Sequence, residues 1–172
     1  MDIFTEYIVK KKKEPTDYIF AVGLIIAALL LTFIFLFTIV AKYLFGMGLL
    51  LAVGAWWGAV YLIRMRSVEF EYILTNAELD VDKIMARRRR KRVISVNFKQ
   101  IDVCARIHDP DFKHQYENKE GLTVLNLAGD LTAENVYFVD FSKDGTRKRI
   151  LFQPNEKIIE SVKKLNPRAI NL

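Results

Sequence analysis

Ionisable residues are almost absent from one long stretch of this sequence. Residues 18–63 contain a single full charge, Lys42. The hydrocarbon core of a bilayer takes roughly 20 apolar residues per helix, so the stretch predicts two membrane spans joined by a short turn. We place the spans at residues 18–40 and 45–63. Neither span contains an acidic residue, His or Arg, and this absence argues against a transporter or pump, which usually needs one.

Cysteine occurs once, as Cys104, so no intramolecular disulfide can form, which is typical of a reducing compartment. The sequence lacks a Gly-rich phosphate loop, a nucleophile elbow and a zinc ribbon. Cys104, His108 and His114, with Asp109 and Asp111, could form a metal cluster, but the spacing of the cysteine and the histidines matches no common metal site. We interpret them as a core cysteine and two loop histidines. We therefore expect no catalytic residue, no metal and no cofactor, and interpret the protein as not an enzyme. We also expect no cleavable signal peptide, because the first apolar run is too long.

Positive charge is concentrated in one run. The net charge is +6, and residues 87–92 supply six positive charges, so the rest of the chain is neutral by this count. We interpret the run as a patch for anionic lipid headgroups or a protein partner; a solvated hairpin is the open alternative. Nucleic-acid binding is not favoured, because no helix or aromatic platform accompanies the run. The candidate binding residues are Lys83, Arg87, Arg88, Arg89, Arg90, Lys91 and Arg92.

Acidic residues alternate along two predicted strands upstream of this run. Glu69, Glu71, Asp80 and Asp82 could form a carboxylate cluster for acid–base chemistry. We favour the interpretation that they line the solvent face of a hairpin, balanced by Lys and Arg on neighbouring strands.

Basic residues flank the predicted spans on both sides. Lys10–Lys13 precede the first span, and Arg64 and Arg66 follow the second. Positive residues stay cytoplasmic, so we expect a two-span protein of the cell membrane with both termini in the cytoplasm.

The N-terminal segment, residues 1–17, has apolar residues at helical spacing. Ile3, Phe4, Tyr7 and Ile8 would share one face, which predicts a short amphipathic helix in the headgroup region. A frayed polar terminus is the alternative.

The second span contains Gly54 and Gly58 in a GxxxG pattern, which lets helix backbones approach closely in lipid. We favour packing of the two spans against each other, and dimerisation or contact with another protein stays open.

Residues 67–172 predict one domain that is mainly β. Period-two patterns predict seven short antiparallel strands at about 68–75, 78–86, 93–98, 101–107, 122–127, 136–141 and 149–152. The period then changes, and an amphipathic helix is expected from Pro154 to Leu165. Seven strands and a capping helix predict a small barrel or sandwich closed at one end by the helix.

This order of elements resembles the pleckstrin-homology-like (PH-like) fold. The stretch from Glu69 to Asp102, with a Tyr-x-x-Thr strand at Tyr72–Thr75 and a basic stretch after the second strand, resembles bacterial PH-like domains that follow two transmembrane helices. The opening residues are similar to a family of two-span proteins from Gram-positive anaerobes. The resemblance implies a membrane-tethered PH-like domain, a fold and topology without a settled activity.

These observations favour a membrane-anchored binding or scaffold module at the inner membrane surface. Its partners would be the bilayer, anionic headgroups, and a protein partner or a second copy. The alternative is an accessory subunit of a larger transport or secretion complex, contacted through the transmembrane hairpin.

Overall fold

The computed structural model describes residues 4–37, 42–43 and 46–170. Its strands are β1 Phe4–Lys10, β2 Val68–Thr75, β3 Glu78–Met85, β4 Arg89–Asn97, β5 Ile101–Arg106, β6 Thr123–Asn126, β7 Tyr137–Lys143 and β8 Thr146–Phe152. The helices with described bounds are α1 Pro15–Phe37, α2 Gly48–Met65, α3 Lys113–Glu117 and α4 Glu156–Leu165. Two compact units result: Lys13–Ser67 form one, and the residues up to Lys12 and from Val68 onward form the other.

The first unit is the helical hairpin. α1 and α2 are both long and apolar enough to cross a membrane. α1 starts at Pro15, three residues before the predicted start of the first span, and α2 starts at Gly48, three residues after the predicted start of the second. Residues 38–40 of the first predicted span, residue 45 of the second, and residues 41 and 44 of the turn between them lie outside the described residues.

Small side chains bring the two helices together. A Cβ added at Gly48 would clash with the Phe35 carbonyl oxygen, and Ala28, Ala52 and Ala59 are buried. At the base of the hairpin, Arg66 Nε donates to Asp17 Oδ1 at 2.7 Å.

The N-terminal segment is a strand, which corrects the amphipathic helix expected within residues 1–17. β1 pairs antiparallel with β2 up to Lys10, which lies opposite Glu69. Phe4 and Ile8, expected on one apolar helix face, are exposed. The strand is more stable than the helix, because an isolated helix of this length is only marginally stable, whereas β2 supplies a backbone hydrogen-bonding partner along the whole strand. The half-buried side chains of β1 are Thr5, Tyr7 and Val9.

The four strands β1 to β4 form one antiparallel sheet in chain order, the first sheet. β1 precedes α1 and β2 follows α2, so the helical hairpin is inserted between two neighbouring strands of this sheet. The predicted domain boundary at residue 67 therefore leaves out one strand of the domain.

The second sheet has the order β5-β7-β8-β6. β6 pairs parallel with β8, so the expectation that all strands are antiparallel is wrong for this pair. The sheets are two open sheets and not a closed barrel. The seven strands predicted after the hairpin are present among the described residues, and β1 adds an eighth.

The main core lies between the two sheets and α4. Tyr72, Phe98, Phe152, Ile158 and Val162 are fully buried in it. The Tyr72 hydroxyl donates to the Leu127 carbonyl at 2.7 Å and accepts from the Gln153 N–H at 3.1 Å. α4 begins after Asn155, whose side chain accepts from the Ile158 N–H at 3.0 Å, and the predicted C-terminal helix is confirmed.

Candidate functional site

The basic run lies on the hairpin between β3 and β4. The Arg88 N–H donates to the Met85 carbonyl at 3.1 Å, and the two residues between them, Ala86 and Arg87, have φ values of 51° and 57°. Two left-handed residues are typical of a tight hairpin turn, which normally takes Asn-Gly. With Ala and Arg in these places the turn stores strain of about 1 kcal/mol per residue. The run is therefore partly turn and partly strand, since β4 begins at Arg89.

This hairpin turn lies at the end of the first sheet where the chain leaves the domain and returns to it. Met85 lies opposite Val68, the first residue of β2, and the Lys11 N–H donates to the Val68 carbonyl at 2.9 Å. Lys10 is the last residue of β1. The basic hairpin and the lysines that follow β1 therefore share one end of one sheet.

Three of the arginines are ion-paired with the carboxylates of the same sheet. Arg87 Nε lies 3.4 Å from Glu69 Oε1, and Arg90 Nη1 lies 2.9 Å from Glu71 Oε2. Arg92 contacts both remaining carboxylates, Asp80 at 2.9 Å and Asp82 at 3.2 Å. The four acidic residues are thus balanced by arginines of β4 and of the turn before it. The expected solvent face is wrong for Glu69 and Glu71, which are buried and lie on β2, a strand that does not neighbour β4.

Glu71 is the buried centre of this cluster. Its side chain is fully buried beside Arg90, which is itself 59% exposed. Burial raises the pKa of the Glu71 carboxyl, the Glu6 carboxyl on β1 raises it further, and Arg90 lowers it. Glu6 is absent from the predicted cluster, because a helix at the N-terminus would keep it away from β2.

The other cations of the hairpin have no ion pair among the described residues. They are Lys83, Arg88, Arg89 and Lys91. Lys83 lies directly opposite Lys91 in the β3–β4 ladder, and Arg89 lies opposite Met85. Side chains alternate between the faces of a strand, so Arg89 and Lys91 lie on the opposite face from Arg90 and Arg92.

A one-residue bulge sets this alternation. Val81 pairs with Ile94, but the next residue, Asp82, pairs with Arg92, so Val93 is left without a partner in the ladder. The bulge moves Arg92 and Arg90 onto the carboxylate face, whereas strict alternation from the buried Ile94 would have placed them on the core side.

The residues weighed as a metal cluster are spread apart. Cys104 is buried in β5, and burial raises the pKa of its thiol to about 12. His108 precedes the Pro110–Phe112 turn and His114 lies in α3. Within the described part of the chain, no three His, Cys, Asp or Glu side chains come close enough to hold a metal ion.

The GxxxG glycines lie away from the contact between the two helices. A Cβ added at Gly54 or Gly58 would meet no heavy atom within 4 Å, and the same holds for Gly23 in α1. Within the described residues, the close contact between the spans uses Gly48 instead of the glycine pair that we favoured for it.

The architecture of two open sheets with a C-terminal helix against the core is that of a PH-like domain. The family model described as Bacterial PH-like domain (DUF6106) matches residues 1–172, and the chain belongs to this family. No curated protein and no solved structure matches the chain.

Proposed function

We propose that this chain is a non-enzymatic, membrane-anchored binding or scaffold module. The helical hairpin holds the PH-like domain at the inner membrane surface, and the tip of the β3–β4 hairpin, residues 83–92, engages anionic lipid headgroups. The mechanism is tethering with electrostatic orientation, without turnover.

One observation carries this proposal: the basic hairpin lies at the sheet end from which both connections to α1 and α2 start. These connections are short, residues 11–14 and 66–67, and an extended chain covers at most about 3.6 Å per residue. Such short connections support a placement of this sheet end near the headgroups. Each Lys or Arg near an anionic surface then gains about 1 kcal/mol.

The test uses the full-length protein, because a fragment that begins at residue 67 lacks β1. The protein is placed in nanodiscs of phosphatidylcholine, with or without phosphatidylglycerol, and amide hydrogen exchange of residues 83–92 is measured by mass spectrometry. We expect slower exchange in the anionic discs, and loss of this difference when Arg87–Arg92 are all replaced by Ser. Equal exchange of the wild-type hairpin in both kinds of disc would refute the proposal.

The second candidate function is an accessory subunit that binds its complex through the helical hairpin. It is favoured by the open surface at Gly54 and Gly58, where an added Cβ meets nothing within 4 Å. In-cell crosslinking would test it with Gly58→Leu, and Gly23→Leu is the matched control because that glycine is equally open but lies outside the motif. Loss of a crosslinked species with Gly58→Leu alone supports this candidate, and identical crosslinking in both variants refutes it.

A further inference from the structure

The register of the β3–β4 ladder places Lys83, Arg89 and Lys91 on one face of the hairpin and Arg90 and Arg92 on the other. We propose, building on the proposed function, that Lys83, Arg89 and Lys91 bind the phosphate of an anionic lipid headgroup. We call these three the lipid set. Arg87, Arg90 and Arg92, the paired set, hold the carboxylates of the first sheet and take no part in lipid binding.

The two lysines of the lipid set face each other across the ladder. Lys83 and Lys91 are direct partners in register, so their Cβ atoms are about 4.5–5.5 Å apart. Like charges placed directly opposite each other are destabilising, and neither lysine has an acidic partner among the described residues. An anion between the two ammonium groups would remove this repulsion, which makes the pair a suitable site for a phosphate.

Arg89 completes the group. It lies two residues from Lys91 on the same strand and therefore on the same face, about 7 Å along β4. Its side chain is exposed and has no ion pair among the described residues. A guanidinium can contact two phosphate oxygens at once, so one Arg and two Lys suit a lipid phosphate.

The arginines of the paired set are already in ion pairs with carboxylates of the first sheet. Arg90 contacts Glu71 at 2.9 Å, and the Glu71 side chain is fully buried. Transfer of Arg90 to a headgroup would leave a buried carboxylate without its counter-charge, which is costly. Arg92 contacts Asp80 and Asp82 together. These arginines are therefore held by the sheet.

Two matched variants test the division. K83Q/R89Q/K91Q and R87Q/R90Q/R92Q each remove three positive charges from the same hairpin, and Arg88 stays in both. Amide exchange of residues 83–92 is compared between phosphatidylcholine discs and discs that contain phosphatidylglycerol. Comparing the two disc types within each variant cancels any change in the intrinsic opening of the hairpin.

We expect the anionic-lipid effect to persist in the paired-set variant and to vanish in the lipid-set variant, since each cation near an anionic surface contributes about a fivefold preference. Equal loss in both variants would overturn the division and leave the proposed function standing. No lipid effect in the wild type would refute the proposed function itself.

A measurement on the wild type covers the case in which the paired-set variant fails to fold. Lys83 and Lys91 are acetylated with a water-soluble reagent, and the exposed α4 lysines Lys157 and Lys163 serve as references. We expect the two hairpin lysines to be protected only in anionic discs. Equal protection in phosphatidylcholine discs with added inorganic phosphate would contradict the claim that the bound phosphate belongs to a lipid. Absence of protection at both lysines would contradict the claim that the lipid set binds the headgroup.

Discussion

Arg149 and Asp140 are two charged residues that lie fully inside the domain, each 1% exposed. Two guanidinium nitrogens of Arg149 donate to the two Asp140 carboxylate oxygens, both at 2.6 Å. The same guanidinium donates to the Tyr116 carbonyl at 2.6 Å and the Gln115 carbonyl at 2.9 Å. The pair therefore ties the backbone of α3 to the second sheet. The alternating apolar residues around Asp140 predict a strand, but they do not indicate that Asp140 pairs with Arg149.

Asp140→Ala should strongly destabilise the domain. It leaves the Arg149 guanidinium buried without a counter-charge, which costs about 3–5 kcal/mol. Chemical denaturation of the full-length protein in detergent measures this loss. Asp102→Ala, at an exposed position of β5, is the control and should change stability little. Similar losses in both variants would contradict a special role of the buried pair.

Glu71 should make the domain less stable as the pH rises. Its pKa is raised in the folded state, mainly by burial, so the folded protein holds the proton more tightly than the unfolded chain. Its contribution to stability is fully present below the ordinary value of 4.5 and is lost as the pH rises through the folded-state pKa. Glu71→Gln should flatten the stability curve from pH 4.5 upward. Denaturation midpoints across this range test it, and an unchanged slope in the variant would contradict it.

Asp130 should act in the opposite direction, at lower pH. Hydrogen bonds from Lys12 and Thr132 lower the pKa of its carboxyl to about 2, so its stabilisation is present above the ordinary value of 3.8 and is lost as the pH falls toward 2. Asp130→Asn should remove this acidic part of the pH dependence, measured by the same midpoints. A variant that kept the wild-type acid sensitivity would show that the Lys12 contact does not stabilise the fold.

At the scale of elements, β1 is the first strand of the PH-like domain, which therefore begins before the helical hairpin. The Lys12 N–H donates to the Gly129 carbonyl at 2.8 Å, and a Cβ at Gly129 would lie 2.6 Å from the Lys10 carbonyl oxygen. Glycine is therefore needed for the loop to approach the end of this strand. The N-terminal residues belong to the domain and do not merely lead into the first membrane helix.

Two neighbouring substitutions distinguish the strand from the helix expected from the sequence. Val9 packs against the main core, whereas Ile8 is 43% exposed. Val9→Ser should therefore destabilise the domain by about 1–2 kcal/mol, and Ile8→Ser should be nearly neutral. Thermal unfolding of the full-length protein measures both. A larger effect of Ile8→Ser would favour the amphipathic helix instead.

Seven strands could be located from the sequence because each alternates apolar and polar residues over its own length. The parallel pairing of β6 with β8 could not, since either direction satisfies the same alternation. The sequence predicts that β4 starts at Val93, because the four basic residues before it carry no apolar alternation. Their strand structure depends on the ladder with β3.

At the scale of the whole molecule, the insertion of the helical hairpin between β1 and β2 links the formation of the first sheet to the topology of the hairpin. β1 precedes the hairpin, and its partner β2 follows it. The first sheet can form only when both ends of the hairpin are on the same side of the membrane. This requirement agrees with the basic residues that flank the two spans.

Cysteine labelling in intact cells tests the orientation that we propose. Cys104 is fully buried and burial raises its thiol pKa to about 12, so the native thiol should stay unlabelled. With a membrane-impermeant maleimide, Lys42→Cys should be labelled in intact cells and Lys157→Cys only after permeabilisation. Labelling of Lys157→Cys in intact cells would place the domain outside.

Features that depend on local composition could be predicted from the sequence. These are the apolar stretch with its two predicted spans, the order of seven strands and a C-terminal helix, and the concentration of positive charge on one hairpin. The folded structure was needed to show that β1 pairs with β2 across residues 11–67 and to show which cations face the carboxylates. Strand pairing joins residues that are distant in the chain, and the bulge at Val93 reverses the faces of Arg90 and Lys91 relative to strict alternation.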